Sequence, residues 1–459
     1  MRVKDMTQGP AMRLILSTAL TLMVGNMFQQ MYIIVDASVV GRGLGLKALA
    51  ALGSADWFTW LFFSVVIGFA QGFSIPVAHA FGAKDYDELR KNVGNAVSLG
   101  MLTAVAITAI ALLSVTPVLN AMGAPDEVRP IAAAYLRVLF SGIPILMAYN
   151  LLSDMLRALG DSRSPLLAMV LSSLINIFLD CLFVFGFGWG VESAAAATVI
   201  AQASSFVFCL FRIKGVEFMR LSREDFMPVR ARSLRLMRLG APISAQNAVI
   251  AIGGMIVQSV VNGMGVSFIA GYTATNKIYG LLEIAAVSYG YAMTTYAGQN
   301  LGAKRMDRVR DGVRAGLKSG IITALCIALI MLLFGKAILS LFIEASETNA
   351  LDIAVEFLTI MAWCLPILYV LYIYRSALQG MGNAVMPMVS GIAEFVMRTG
   401  SALLLPGLIG YTGLFWAEVL AWSGADVILI PSYYRVYRRA SREMVSTRSI
   451  SGMRFNKAM

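Results

Sequence analysis

Charge is the scarcest ingredient of this sequence. Only 14% of its 459 residues are charged, against about 25% in soluble domains, while 58% are hydrophobic. That balance excludes a water-soluble enzyme or binding module and identifies an all-α polytopic membrane protein. Histidine occurs once, as His79 at the end of an apolar run, where it reads as structural. The four cysteines, Cys181, Cys209, Cys326 and Cys364, lack metal-ligand spacing and read as small buried hydrophobes. There is no His-Glu-x-x-His and no Gly-x-x-x-x-Gly-Lys-Ser/Thr phosphate loop, and no soluble stretch is long enough for a nucleotide-binding domain. No cofactor is expected, and ATP-driven work by this chain is not. Its energy comes from an ion gradient, unless it is a passive channel or leans on a partner.

What is present is a succession of apolar runs. Taking about 20 mostly apolar residues as one span, twelve spans lie near 14–40, 50–78, 92–119, 131–156, 165–187, 194–213, 239–262, 268–298, 313–342, 353–378, 386–408 and 413–434. The first run is too long, and lacks the small-residue cleavage site, for a removable signal peptide. An internal repeat organises the spans. Gly82-Ala83-Lys84, Asp87, Arg90 and Val93 recur 220 residues later as Gly302-Ala303-Lys304, Asp307, Arg310 and Val313. Gly43, Gly45 and Ala50 match Gly263, Gly265 and Ala270 at the same offset, and Pro144, Gly160 and Pro165 match Pro366, Gly382 and Pro387 at 222. Two homologous six-span halves follow. Six is even, so both cross the membrane in the same sense, related by a pseudo-twofold axis along its normal.

The basic residues set the orientation. The segment 212–238 carries Arg212, Lys214, Arg220, Arg223, Arg230, Arg232, Arg235 and Arg238, and the C-terminal stretch carries Arg435, Arg438, Arg439, Arg442, Arg448, Arg454 and Lys457. With twelve spans both fall on the side of the N-terminus, opposite an acidic loop holding Glu344, Glu347, Asp352 and Glu356. The positive-inside rule then places both termini in the cytoplasm of a cell (inner) membrane. The expected organisation is a cytoplasmic N-terminus (1–13), an N-lobe (14–213), a cytoplasmic linker (214–238), a C-lobe (239–435) and a basic tail (436–459). The net charge of +11 belongs to this topology rather than to nucleic-acid binding.

Polar residues inside the spans are the candidate chemistry. Asp36 is the only formal charge of the first run, and such a carboxylate costs about 2.5–3.5 kcal/mol at the centre of a membrane helix. Gln29, Tyr32 and Asp36 stand on one helical face, so Asp36 either reaches headgroups at a helix end or faces a cavity as an ion or proton site. Asn176 and Asp180, spaced i, i+4 in the fifth span, pair a carboxylate with a neutral amide oxygen, as a small cation or proton requires. Thr198 in the sixth span offers a hydroxyl. In the second half, Glu283 stands alone and Glu394 and Arg398 read as a structural i, i+4 pair; Ile256 occupies the position matching Asp36. Met23, Met27 and Met31 at helical spacing suit core packing or a pliable apolar pocket.

The sequence resembles the multidrug and toxic compound extrusion (MATE) family of cation-coupled antiporters. The resemblance rests on Tyr32-Ile33-Ile34-Val35-Asp36 with Val39-Val40-Gly41, Leu49-Ala50-Ala51-Leu52-Gly53, Gly82-Ala83-Lys84, Leu156-Arg157-Ala158-Leu159-Gly160-Asp161, Asn176-Ile177-Phe178-Leu179-Asp180 and Gly298-Gln299-Asn300-Leu301-Gly302-Ala303. It implies two six-helix bundles around a central cavity and an N-lobe site for H+ or Na+, possible as a bound metal ion, at Asp36, Asn176, Asp180 and Thr198. Other branches use a seventh-helix glutamate eight residues after a Gly-x-Pro proline; here that proline is Pro242 and the position holds Ile250. The expected function is a secondary active antiporter, a monomer in the bilayer, exporting amphipathic and often cationic organic compounds, with Gln29, Met31, Tyr32 and Glu283 as substrate-cavity candidates. The alternatives are a lipid-linked precursor flippase, which calls for a strongly basic cavity where few Arg or Lys stand mid-span, and, further off, a membrane enzyme or a channel.

Overall fold

A computed structural model describes residues 4–121, 126–343 and 347–456. Glu344 of the acidic loop and Lys457 of the tail lie outside the described residues, as do the side chains of Arg448 and Arg454. The described chain is helical throughout: α1 (Ala11–Leu44), α2 (Leu46–Gly82), α3 (Tyr86–Ala121), α4 (Arg129–Ser141), α5 (Ile143–Ala158), α6 (Arg163–Cys181), α7 (Glu192–Lys214), α8 (Arg230–Asn262), α9 (Val266–Gly302), α10 (Met306–Leu339), α11 (Thr348–Gly380), α12 (Val385–Ile409) and α13 (Thr412–Asn456). Among the described residues ten helices are long and apolar enough to cross a membrane, and α4 with α5 makes an eleventh, bent by 46°. The twelfth span is α9, whose 37 residues are ample in length but whose apolar stretch is diluted by Glu283 and by Ser, Thr and Tyr.

The bend between α4 and α5 has a local cause. Pro144 has no N–H to donate and Gly142, two residues earlier, lets the chain break there. Pro366 matches Pro144, but Cys364 stands where Gly142 does, and α11 runs through unbroken. The helices are inside-out relative to a soluble bundle: Leu102, Val105 and Leu113 of α3 and Leu333 and Phe334 of α10 are exposed, as lipid-facing side chains must be. Of the cysteines, Cys209 is buried and Cys364 half-buried, but Cys181 and Cys326 are exposed, so the expectation of four buried thiols fails for two that face outward from apolar helices.

The sequence repeat is a repeat of helix stops. Lys84 and Lys304 both take a left-handed backbone, with φ of 59° and 57°. In each, the last carbonyls of the preceding helix are recovered by a Schellman arrangement: Asp85 N–H donates to Ala80 O and Lys84 N–H to Phe81 O, as Arg305 does to Asn300 O and Lys304 to Leu301 O. Gly160 and Gly382, each at φ 80°, end α5 and α11 in the same way, where the absence of a Cβ removes the left-handed penalty. Asp161 then accepts from the N–H groups of Arg163 and Ser164 at 3.0 Å, starting α6.

The chain forms two compact units whose membership departs from the sequence halves. Unit 1 contains Thr18–Val77 and Tyr86–Gln258; unit 2 contains Asp5–Ser17, Ala78–Asp85 and the chain from Ser259 onward. In unit 1, α8 lies against α2 at glycines: a Cβ on Gly68 would meet the Ser244 backbone and one on Gly72 that of Gly240. The segment joining α7 to α8 exposes most of its side chains, yet its backbone is docked. Ser98 Oγ donates to Phe226 O at 2.7 Å, Asn95 Nδ2 to Met227 O at 3.4 Å, and Arg232 pairs with Glu88 at 2.9 Å. In unit 2 the segment before α1 is held similarly: Met6 is fully buried, its N–H donates to Gln299 Oε1 at 2.8 Å, and Arg308 donates to Met6 O and Gly9 O. Glu88 and Arg308 are repeat-equivalent positions, so each grips the strap that precedes a half.

Candidate functional site

The polar residues singled out in the first half converge inside unit 1. Asp180 closes α6 with 0% exposure and Asn176, one turn earlier, has 1%. Immediately beyond Asp180 the helix widens into a π turn over Leu182–Gly186, where Phe187 N–H reaches back to Leu182 O at 3.0 Å; such turns recur at functional sites. Asn176 Nδ2 donates to Thr198 Oγ1 at 3.4 Å, and Thr198 Oγ1 donates in turn to Ala194 O of its own helix at 3.1 Å. The Thr198 oxygen is thereby engaged on both sides.

Asp36, half-buried on α1, brings its carboxyl into direct contact with that of Asp180. Both groups are acceptors when ionised, so the contact becomes a hydrogen bond only with a proton on one of them, and becomes attractive otherwise only with a cation between them. Among the described residues, Asp36 Oδ1, both oxygens of Asp180 and Oδ1 of Asn176 have no hydrogen-bond partner. Four buried acceptors without a donor, two of them repelling, are a costly arrangement that a small cation relieves at once. Tyr32, one turn before Asp36, lies in range of both carboxylates and hydrogen-bonds Gln29, so the shared face of Gln29, Tyr32 and Asp36 is real. Met31, at 59% exposure, projects on a different face.

A family model described as MatE matches residues 22–182 and 242–403. The chain belongs to the MatE family. It is 28% identical over 432 residues to a probable multidrug resistance protein, YoeA, of Bacillus subtilis, covering 90% of this chain and 91% of that one. A second protein of that organism, YpnP, with the same description, is 29% identical over 415 residues, covering 90% and 93%. A crystal structure of MATE in complex with MaL6 superposes with a TM-score of 0.88 at 24% identity, covering 96% of this chain and 99% of that chain. The fold is therefore the twelve-helix fold of MATE transporters, in a multi-pass membrane protein. The first matched segment carries Asp36, Asn176 and Asp180; the second carries Glu283, Glu394 and Arg398.

Unit 2 holds more than the expected pair. Arg398 donates to Glu394 Oε1 at 3.1 Å and to Glu418 Oε2 at 2.8 Å, and Arg375 donates to the other oxygen of Glu394 at 2.5 Å. Glu283 accepts from the Tyr372 hydroxyl at 2.7 Å, and the Arg375 guanidinium stands 5.8 Å from the centre of the Tyr372 ring. Asp426 lies in range of Arg375 and Glu394 and leaves Oδ1 without a partner. Glu394 and Arg398 are thus the centre of a wider ion network rather than an isolated pair. Two arginines stand in the interior of unit 2, where few basic residues were expected, but carboxylates outnumber them. His79 serves as expected, its Nε2 against Gly380 O at 2.7 Å.

Sequence reasoning missed Asp56 on α2, which lies in range of Asp36, and Tyr135 on α4, which lies in range of Asp36, Asp56 and Asp180. A signal for Asp56 was available. It is a second lone carboxylate inside an apolar run, and the same reasoning that singled out Asp36 applies to it.

Proposed function

We propose that this protein is a secondary active antiporter of the cell membrane that exports amphipathic, often cationic, organic compounds in exchange for H+ or Na+. The observation that carries the reading is the contact of Asp36 with Asp180 in a setting where their oxygens have no donor. The descriptions of YoeA and YpnP as probable multidrug resistance proteins support the substrate class. Asp36 and Asp180 hold the coupling ion, with Asn176 contributing its free amide oxygen and Thr198 orienting that amide. Exchange needs a difference in affinity between two states and nothing more. Loading the pair with a cation removes net negative charge, which weakens the hold on a cationic compound; release of the cation restores it.

In this reading both termini and the 214–238 segment are cytoplasmic, the protein acts as a monomer, and it needs no cofactor beyond the coupling ion. The 14–213 and 239–435 halves act as N- and C-lobes, and no enzymatic step is involved. Gln29, Tyr32 and Glu283 contribute to the substrate path. The excess of carboxylates over arginines in unit 2 favours cations over the anionic lipid-linked precursors of a flippase. The test is transport by purified protein in proteoliposomes with pH and Na+ gradients imposed separately. Efflux of an organic cation driven by one gradient is expected. Efflux indifferent to both, or dependent on ATP, refutes the reading.

A further inference from the structure

Unit 1 is layered around its candidate cation site. Val40 of α1, Ala48 and Leu52 of α2, and Val191 and Ala194 at the start of α7 form a buried apolar cluster, with Leu44, Ile131 and Tyr135 packed against it. One helical turn further from the α1–α2 connection, each of the four helices changes character. Asp36 precedes Val40 by four residues, Asp56 follows Leu52 by four, Tyr135 follows Ile131 by four and Thr198 follows Ala194 by four. An i, i+4 step keeps a side chain on its face, so Asp36, Asp56 and Thr198 form a polar layer beneath the apolar one, and Tyr135, which packs against the apolar cluster, spans the two.

The two carboxylates of that layer and Asp180, in contact with Asp36, are graded by access. Asp180 is fully buried, Asp36 half-buried and Asp56 exposed. Among the described residues Asp56 has no hydrogen bond or ion pair, yet it feels the charge of Asp36, and its own charge is felt by Tyr135. A large organic ion has no route to a fully enclosed Asp180, whereas a bare H+ or Na+ has; at Asp56 the order reverses, since an open carboxylate beside aromatic rings suits a bulky, weakly hydrated cation. The buried, donorless oxygens of Asp180 and Asn176 independently mark this cluster as built to receive positive charge.

We propose that Asp56 is the charge-selecting residue of the protein: with Asp36, Tyr32 and Tyr135 it forms a position for the cationic centre of the exported compound, adjacent to the small-ion position between Asp36 and Asp180. The inference rests on the export reading above and adds to it the place where the two cations meet. Asp36 is shared by both positions, so each cation lowers the affinity of the other through one intervening carboxylate.

The test is equilibrium binding to purified protein in lipid nanodiscs, with tetraphenylphosphonium as the cation and triphenylphosphine oxide as a neutral probe of similar shape. Asp56→Asn lowers tetraphenylphosphonium affinity by about tenfold or more, the loss of one close charge contact, and leaves triphenylphosphine oxide binding within about twofold. Asp56→Glu restores the cation affinity, and the small-ion response of the Asp36–Asp180 pair persists in both variants. Unchanged tetraphenylphosphonium affinity in Asp56→Asn overturns the inference while leaving the export reading standing. So does an equal loss of both probes without rescue by Asp56→Glu. A wild-type protein that binds tetraphenylphosphonium under no condition overturns both.

Discussion

Asp180→Asn should make the ion-free protein more stable and at the same time useless as an ion-driven transporter. With no Na+ present and at alkaline pH, two ionised carboxylates in contact at about 3–4 Å repel by about 5 kcal/mol at an effective dielectric constant of 20. Asp180 also carries a desolvation penalty with no hydrogen bond to set against it. Relaxation and water entry recover much of this, so the net gain on replacing the carboxylate by a neutral amide of the same shape is about 1–3 kcal/mol. The assay is thermal unfolding in detergent at a series of Na+ concentrations and pH values. Wild type starts lower and climbs as a cation binds, by about 2.7 kcal/mol at a hundred times its dissociation constant. Asp180→Asn starts higher and does not climb with Na+. Gradient-driven efflux is lost in the same protein. An Asp180→Asn protein that is less stable than wild type without ions, or that still gains as much stability from Na+ as wild type does, refutes the argument that the paired carboxylates are held for a cation.

Arg398→Met in unit 2 leaves Glu418 buried without its guanidinium and should cost about 3–5 kcal/mol, read as a fall in thermal midpoint; adding Glu418→Gln should recover part of that loss, and strict additivity would show that the two do not interact. Gly302→Val drives a side chain into the backbone carbonyl of His79, and Gly82→Val into that of Gln299; each should cost about 1–3 kcal/mol, visible as a lowered midpoint, whereas Gly53→Ala, where nothing lies within 4 Å, should be close to neutral. Arg223→Cys, at an exposed site in the α7–α8 segment, should be labelled by a membrane-impermeant maleimide only in opened cells; labelling in intact cells would reverse the topology. Arg308→Ala removes the donor to Met6 O and Gly9 O and should expose the N-terminal strap to protease without altering the Asp36–Asp180 ion response.

How much of this was legible depends on the distance over which each feature is decided. Helix spans, the repeat and its stops are local: Lys84 after Gly82-Ala83 recurs as Lys304 after Gly302-Ala303, and Gly160 with Asp161 recurs as Gly382 with Asn383. The polar cluster of Asp36, Asn176 and Asp180 was legible because a lone polar residue in an apolar run carries a desolvation cost that a partner or a bound ion must offset. Asn176 and Asp180 declare their shared face by spacing alone. The docked segment before α8 was not legible. Its basic residues advertise the cytoplasm, and only the packed α3 reveals that Ser98 and Asn95 present donors to its carbonyls.

The interior of unit 2 is the instructive case. Glu394 and Arg398, four residues apart, satisfy each other on paper, and nothing local asks for more. Arg375 and Glu418 stand 19 residues before Glu394 and 20 after Arg398, and they meet that pair only because α11, α12 and α13 pack together. Spacing identifies a partner on the same helix and is silent about every other. Charge balance does better. A span that buries a guanidinium must find about one carboxylate per arginine or bear several kcal/mol of desolvation unpaired, so Arg375, Arg398, Glu394 and Glu418 had to be near one another once their spans were known to share a bundle. The same balance leaves Asp36, Asp56 and Asp180 with no arginine to answer them among the described residues. In unit 2 the fold itself supplies the opposite charges for Glu394 and Glu418; in unit 1 the proposed coupling cation is the charge that would balance the carboxylates.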